Sequence, residues 1–221
     1  MGNLAIIPAR GGSKRIPKKN IKDFLGKPII AYSIKAALDS NLFDEVIVST
    51  DSNEIGDIAK KHGATVPFMR SDKNSDDFAT LADVMEEVLQ PYKDKYTYAC
   101  CILPTAPLIK AQNIDLALKV LIENSFDSVR PISKFSYPIQ RAIRISSDNR
   151  ISFMNPEFFN HRSQDLEAAY HDAGQFYWMK VESGLKSENK GAIIIDEREV
   201  QDIDYNEDWL LAELKYKQMF G

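Results

Sequence analysis

Five cations, Arg10, Lys14, Arg15, Lys18 and Lys19, fall within ten residues, around the glycine pair Gly11-Gly12 and the polar side chains of Ser13 and Asn20. Glycines let backbone N–H groups close on phosphate oxygens, and clustered cations offset the charge. Arg offers a planar fork for two such oxygens, Lys a mobile point charge. Arg10 and Lys19 are therefore candidate triphosphate contacts, with Ser13, Lys14 and Asn20 in support. Taken alone, a basic run equally suits a solvated loop or an address signal. Its position favours phosphate. The apolar run at residues 4–7 reads as a buried strand, and Pro8 and the glycines then break regular structure. A loop at the carboxyl end of a first strand is where open α/β sheets bind ligands. The motif is neither G-x-x-x-x-G-K-[ST] nor G-x-G-x-x-G.

A second candidate lies near the other end of the chain. Asp202 and Asp204 flank Ile203 in an expected strand or turn, where alternation points both carboxylates to one side. Two hard oxygen donors suit Mg²⁺, which takes few carboxylates and completes its shell with substrate phosphates. D-x-D triplets also arise by chance, and both residues could simply end a strand and cap the last helix.

These residues need a scaffold. Pro28 opens an expected helix to about residue 40, and residues 45–50 form a short β-branched strand. Asp51, with Glu54 three positions on, suggests a capping box for a helix ending near His62 and Gly63. A third strand is expected at residues 66–69 and a helix from Thr80. Residues 96–103 are apolar almost throughout, as in a central strand, and run into the rigid loop Pro104-Thr105-Ala106-Pro107. A helix over 113–123 and a strand over 126–131 continue the alternation, which implies parallel βαβ units. At residues 133–171 the pattern changes. Two strands, 140–145 and 151–154, are followed by a polar, irregular segment too short for a core of its own. Strands at 175–180 and 192–195 and a helix over 206–219 complete the chain. The expectation is one domain over residues 1–221: a three-layer α/β/α unit with a mostly parallel sheet and an inserted arm.

Composition excludes several classes. The 221 residues suit one α/β domain and can bury a core without staples. With 28 basic and 32 acidic residues the net charge is −4, too acidic for a nucleic-acid-coating surface. Cys100 and Cys101 are adjacent, so on a strand they face opposite ways and cannot share a metal. They read as core residues of a reducing compartment. No leader pattern precedes Leu4 and no apolar run is long enough for a bilayer, so a cytoplasmic location without membrane contact is expected.

The succession strand, ARGGSK, IPKKN and LGKP (residues 25–28) resembles the opening of the cytidylyltransferases that activate nine-carbon acidic sugars, the CMP-sialic acid synthetase-like family. Matching stretches recur to about Asp204. The resemblance implies CTP as co-substrate, Mg²⁺ on an Asp-Ile-Asp pair before the last helix, and a homodimer in which the arm reaches a second subunit. It places the cytidine base near Ala9, Arg10, Gly11 and Arg70, with Thr80 close to the cytidine. For the sugar, the segments 160–166 and 170–178 are the best candidates. Arg162 would meet a carboxylate and Tyr177 would close the pocket, with Leu103, Thr105, Gln140, Gln164 and Gln175 as further contacts. His161 and His171 read as structural.

The chain departs from the sialic acid enzymes at two places. Leu103 stands where they carry Gln, and Ala173-Gly174 where they carry Asn-Gly. The run YHDAGQFYW instead resembles the subgroup acting on pseudaminic acid, with sialic and legionaminic acids as alternatives. The implied reaction is attack of the sugar's anomeric hydroxyl on the α-phosphorus of CTP, with Asp204 or the metal itself assisting removal of the proton. A nucleotidyltransferase acting on a sugar phosphate is a rival, but it would call for more cations beyond Lys27. A catalytically silent nucleotide sensor is disfavoured by the presence of Lys19 and the acidic pair.

Overall fold

The structure is a computed structural model describing residues 2–221. In chain order its regular elements are β1 (Gly2–Pro8), the short hairpin β2 (Asp23–Phe24) and β3 (Lys27–Pro28), α1 (Ile30–Asp39), β4 (Glu45–Ser49), α2 (Asn53–Lys61) and α3 (Leu81–Leu89). There follow β5 (Tyr96–Ile102), α4 (Ala111–Glu123), β6 (Ser128–Lys134), β7 (Ile143–Ile145), β8 (Ile151–Phe153), β9 (Tyr170–Asp172), β10 (Phe176–Lys180), β11 (Lys190–Ile194) and α5 (Asn206–Phe220).

The main sheet has the order β11-β6-β10-β5-β1-β4, with β9 also on β6. β1 pairs in parallel with β4 and β5, and β11 with β6, while β10 and β9 run antiparallel to their neighbours. The sheet is thus mostly parallel, as the strand–helix alternation requires. β5 is interior, and its last four residues are buried. The adjacent cysteines show why it is apolar on both sides: Cys100 belongs to one core cluster and Cys101 to the other. Burial pushes both thiols up, leaving them inert packing residues.

Three expectations fail for local reasons. Residues 66–69 make no ladder: Met69 alone forms an isolated bridge, to Thr50, and the bridge Ile47↔Thr65 lies just before the segment; Pro67 cannot donate to a ladder. Ser52, not Asp51, caps α2, its hydroxyl accepting from Ile55 N–H at 3.4 Å. Glu54 closes no capping box and pairs instead with Lys18 at 2.7 Å. In the arm, residues 139–141 form a 3₁₀ turn, so only Ile143–Ile145 pairs with Ile151–Phe153.

A third apolar cluster matters most for function. Ile16 of the basic loop and Ile203 of the Asp-Ile-Asp segment are buried together with Phe24, Ile29, Trp209 and Ala212. Phe24 meets Trp209 edge-on at 5.6 Å between ring centroids. Two segments nearly two hundred residues apart are thereby fixed side by side.

Candidate active site

A cleft of about 510 Å³ opens at the carboxyl ends of β1 and β5. It is lined by Pro8, Arg10, Ser13, Lys14, Lys19 and Asn20 from the basic loop, by Arg70, Leu81 and Val84, and by Leu103 and Thr105 after β5. The expected triphosphate residues are thus gathered in one place, with Leu103 and Thr105 across from them.

The loop is held by buried backbone contacts. Ala9 is fully buried and donates its N–H to Ser49 O at 2.9 Å. Asn20 is buried and donates from Nδ2 to Arg10 O at 2.9 Å. Gly11 donates its N–H to Asp51 Oδ1 at 2.7 Å, and a Cβ there would lie 3.3 Å from Ser52 Cβ. The approach leaves little room for a larger residue. Asp51 therefore anchors the loop, a role that forty residues of separation hide from a sequence reading.

Arg70 is buried and donates from Nε to Ser49 Oγ at 3.0 Å and from Nη2 to Ser49 O. Desolvation by burial lowers its pKa from the usual guanidinium value. A buried arginine with some donors committed to β4 makes a rigid wall for a base or phosphate. Thr80 does not line the cleft, and its side chain caps α3 by accepting from Asp83 N–H at 3.2 Å.

The cations already hold carboxylates. Asp77 accepts from Lys14 and pairs with Arg10 at 3.0 Å. Lys14 and then Arg10 hold its carboxyl below the usual carboxylate range. At the other end, Asp204 pairs with Arg15 at 2.6 Å and with Lys19 at 3.6 Å, and Lys19 Nζ also donates to Ile203 O at 2.6 Å. Ile203 is buried between an exposed Asp202 and a half-buried Asp204, the expected alternation, although the segment is loop rather than strand. Neither aspartate lines the cleft directly, but Arg15 and Lys19 do. Among the described residues, no group of three or more His, Cys, Asp or Glu could hold a metal ion. The donor set is a pair of carboxylates at the edge of a phosphate-sized cleft, chemistry that fits Mg²⁺ only with phosphate oxygens completing its shell.

The expected sugar contacts divide. Leu103 and Thr105 line the cleft. Gln175 is buried behind it, donating from Nε2 to Glu199 O at 2.5 Å, and its Oε1 has no partner. Tyr177 is half buried and donates to Asp172 Oδ1 at 3.1 Å. Arg162 is not in the cleft: its side chain is 74% exposed and pairs with Asp165 at 2.8 Å, three residues on. Gln164 lines a separate depression within the arm, and Gln140 Nε2 donates to Glu167 O at 2.8 Å. Within this chain the arm therefore folds on itself. The sequence reading missed Arg130, which pairs with Asp172 beside Tyr177.

The chain is similar to known proteins over nearly its whole length. The cytidylyltransferase family profile matches residues 4–196. A pseudaminic acid cytidylyltransferase of Campylobacter jejuni subsp. jejuni serotype O:2 is 42% identical, with 98% of this chain and 97% of that protein covered. A CMP-N,N'-diacetyllegionaminic acid synthase of Legionella pneumophila is 33% identical, covering 95% of this chain and 94% of that protein. The structure of a CMP:2-keto-3-deoxy-manno-octonic acid synthetase complexed with CTP matches over 100% of both chains with a TM-score of 0.74 and 16% identity, a likeness of fold. With a family match that spans the basic loop, Arg70 and the central strand, and a relative 42% identical over nearly the whole chain, this chain belongs to the cytidylyltransferases.

Proposed function

We propose that the protein joins CMP from CTP to a nine-carbon acidic sugar, pseudaminic acid in preference to sialic or legionaminic acid, releasing pyrophosphate. The observation that carries this reading is the cleft itself, where Arg10, Lys14 and Lys19 face Leu103 and Thr105. The relatives that act on pseudaminic and legionaminic acids support the choice of sugar class.

In this reading the basic loop binds the triphosphate and orients its α-phosphorus toward the sugar. The anomeric oxygen attacks that phosphorus, and the bond to the β-phosphate oxygen breaks. Arg10 and Lys19 take up charge on the departing pyrophosphate. The hydroxyl proton passes to Asp204 or to solvent. Asp202 and Asp204 would hold Mg²⁺, whose chemistry when bound is to polarise the phosphate and lower the pKa of the attacking hydroxyl. Arg15 and Lys19 hold Asp204 in place beforehand. Use of CTP implies a cytoplasmic reaction, and no helix among the described residues is long and apolar enough to cross a membrane. The direct test is incubation with CTP and the acid, read by mass spectrometry. Equimolar CMP-sugar and pyrophosphate are expected, and CTP hydrolysis without CMP-sugar would refute the transfer.

Asp77 competes with nucleotide for Arg10 and Lys14. Asp77→Asn should therefore lower the KM for CTP a few-fold and leave the KM for the sugar unchanged, the small size reflecting solvent screening of exposed pairs. An increase in KM for CTP would mean that Asp77 organises the loop instead.

The arm calls for a partner. Tyr137, Ile145 and Ile151 are 84%, 69% and 66% exposed, and Ile139, Ile143, Met154 and Phe159 are also exposed. An apolar surface of this kind marks an interaction site. We propose a second copy of the chain as its cover. Light scattering at micromolar concentration should give the mass of a dimer, and Ile145→Asp with Ile151→Asp should give a monomer. A monomeric wild type would contradict this.

A further inference from the structure

Asp172 gathers three donors. Arg130 Nη1 pairs with its Oδ2 at 2.8 Å, while the Tyr177 hydroxyl and Gly174 N–H donate to Oδ1 at 3.1 and 2.8 Å. The Arg130 guanidinium also lies 5.0 Å from the centroid of the Tyr177 ring. The three residues come from different strands. β9 and β10 both lie along the same edge of β6, and Gly174, at φ 61°, makes the step between them. Tyr177 stands opposite Cys101 of β5 and packs on the same buried cluster as Leu81 and Leu103, both of which line the cleft. Leu103 N–H donates to Gln175 O at 2.8 Å, tying the start of β10 to the cleft wall.

A tyrosine hydroxyl carries one proton and two lone pairs. Once the proton is committed to Asp172, only acceptor capacity remains for a ligand. Asp172 is itself held on both oxygens, by Arg130 at Oδ2 and by the Gly174 N–H at Oδ1. The ring itself is held under the Arg130 guanidinium.

We propose that the Arg130–Asp172 pair fixes the Tyr177 hydroxyl as a hydrogen-bond acceptor for an acylamino N–H of the sugar. The proposal rests on the acidic-sugar reading above and deepens it: Tyr177 is the contact, Asp172 and Arg130 are positioning residues. It also gives the run from Tyr170 to Trp178 a physical role that its sequence did not disclose.

Steady-state kinetics with each substrate varied in turn test it. Tyr177→Phe should raise the KM for the sugar about tenfold, the worth of one buried hydrogen bond, and leave the KM for CTP within about twofold. Asp172→Asn should raise it similarly in the wild type but add little in the Tyr177→Phe background, because the two act as a unit. Arg130→Lys, which keeps the charge, should retain more sugar affinity than Arg130→Met. A merely structural role would penalise both backgrounds alike. Equal penalties, or a Tyr177→Phe enzyme with unchanged sugar KM, would overturn the proposal. A wild type that turns over no nine-carbon acid would defeat the functional reading instead, and the proposal with it.

Discussion

Asp204→Asn and Asp202→Asn are each expected to remove most turnover while the fold persists. Both side chains are at least partly exposed, so neither change leaves a cavity or an unpaired charge deep in a core. The expected loss follows from their chemistry. Under the proposed metal assignment both would be direct ligands; partners that merely orient a metal's ligands are worth 10–100-fold, so their loss should cost on the order of 10²-fold or more in kcat. Asp204→Asn also releases Arg15 and Lys19, which would then face the triphosphate unopposed. CTP binding should therefore be kept or strengthened as catalysis fails. Binding of Mn²⁺, followed by its magnetic resonance signal with CTP present, should weaken in both variants. Full activity with Mg²⁺ and unaltered Mn²⁺ binding would remove the metal assignment.

Arg10→Ala and Lys19→Ala should lower kcat more than they raise the KM for CTP. Their charge is needed most as pyrophosphate separates, and losing one contact to developing charge costs roughly 10²-fold or more. Lys19 is the more constrained: its side chain is only 20% exposed and is held by Ile203 O. Lys19→Arg should not restore it fully, because the larger guanidinium must fit beside Ile203 and Asp204. A variant altered only in KM would assign that residue to ground-state binding.

The parts of the fold that were legible from sequence share one property: their signal is local. β5 reads as an interior strand because burial on both faces leaves an unbroken apolar run. The basic loop reads as a phosphate site because glycines, cations and a preceding strand are contiguous. What was illegible depends on distant partners. Asp51 looks like a helix cap until Gly11 is folded against it. Residues 66–69 have β-type composition, yet with Pro67 among them they form only the isolated bridge of Met69 to Thr50. Arg162 seemed suited to a carboxylate, but Asp165 one helical turn away is a nearer partner. Arg130, whose partner lies on the adjacent strand β9 at a separation of 42 residues, carries no local mark at all.

The sugar preference is the central claim still to be measured. Leu103 lines the cleft at the end of β5, where a glutamine could pair with a substrate hydroxyl or amide. Pseudaminic acid ends in a methyl group where sialic acid carries a hydroxyl, so an apolar wall suits it better. Leaving a buried hydroxyl unpaired costs about 1–3 kcal/mol, enough for preference but not for exclusion. Leu103→Gln should narrow the gap without reversing it, since Tyr177 and its partners contribute as well. The most direct measurement is kcat/KM for pseudaminic and sialic acids at saturating CTP and Mg²⁺. A higher value for pseudaminic acid, by about tenfold or more, is the predicted result. Equal values or a preference for sialic acid would contradict it.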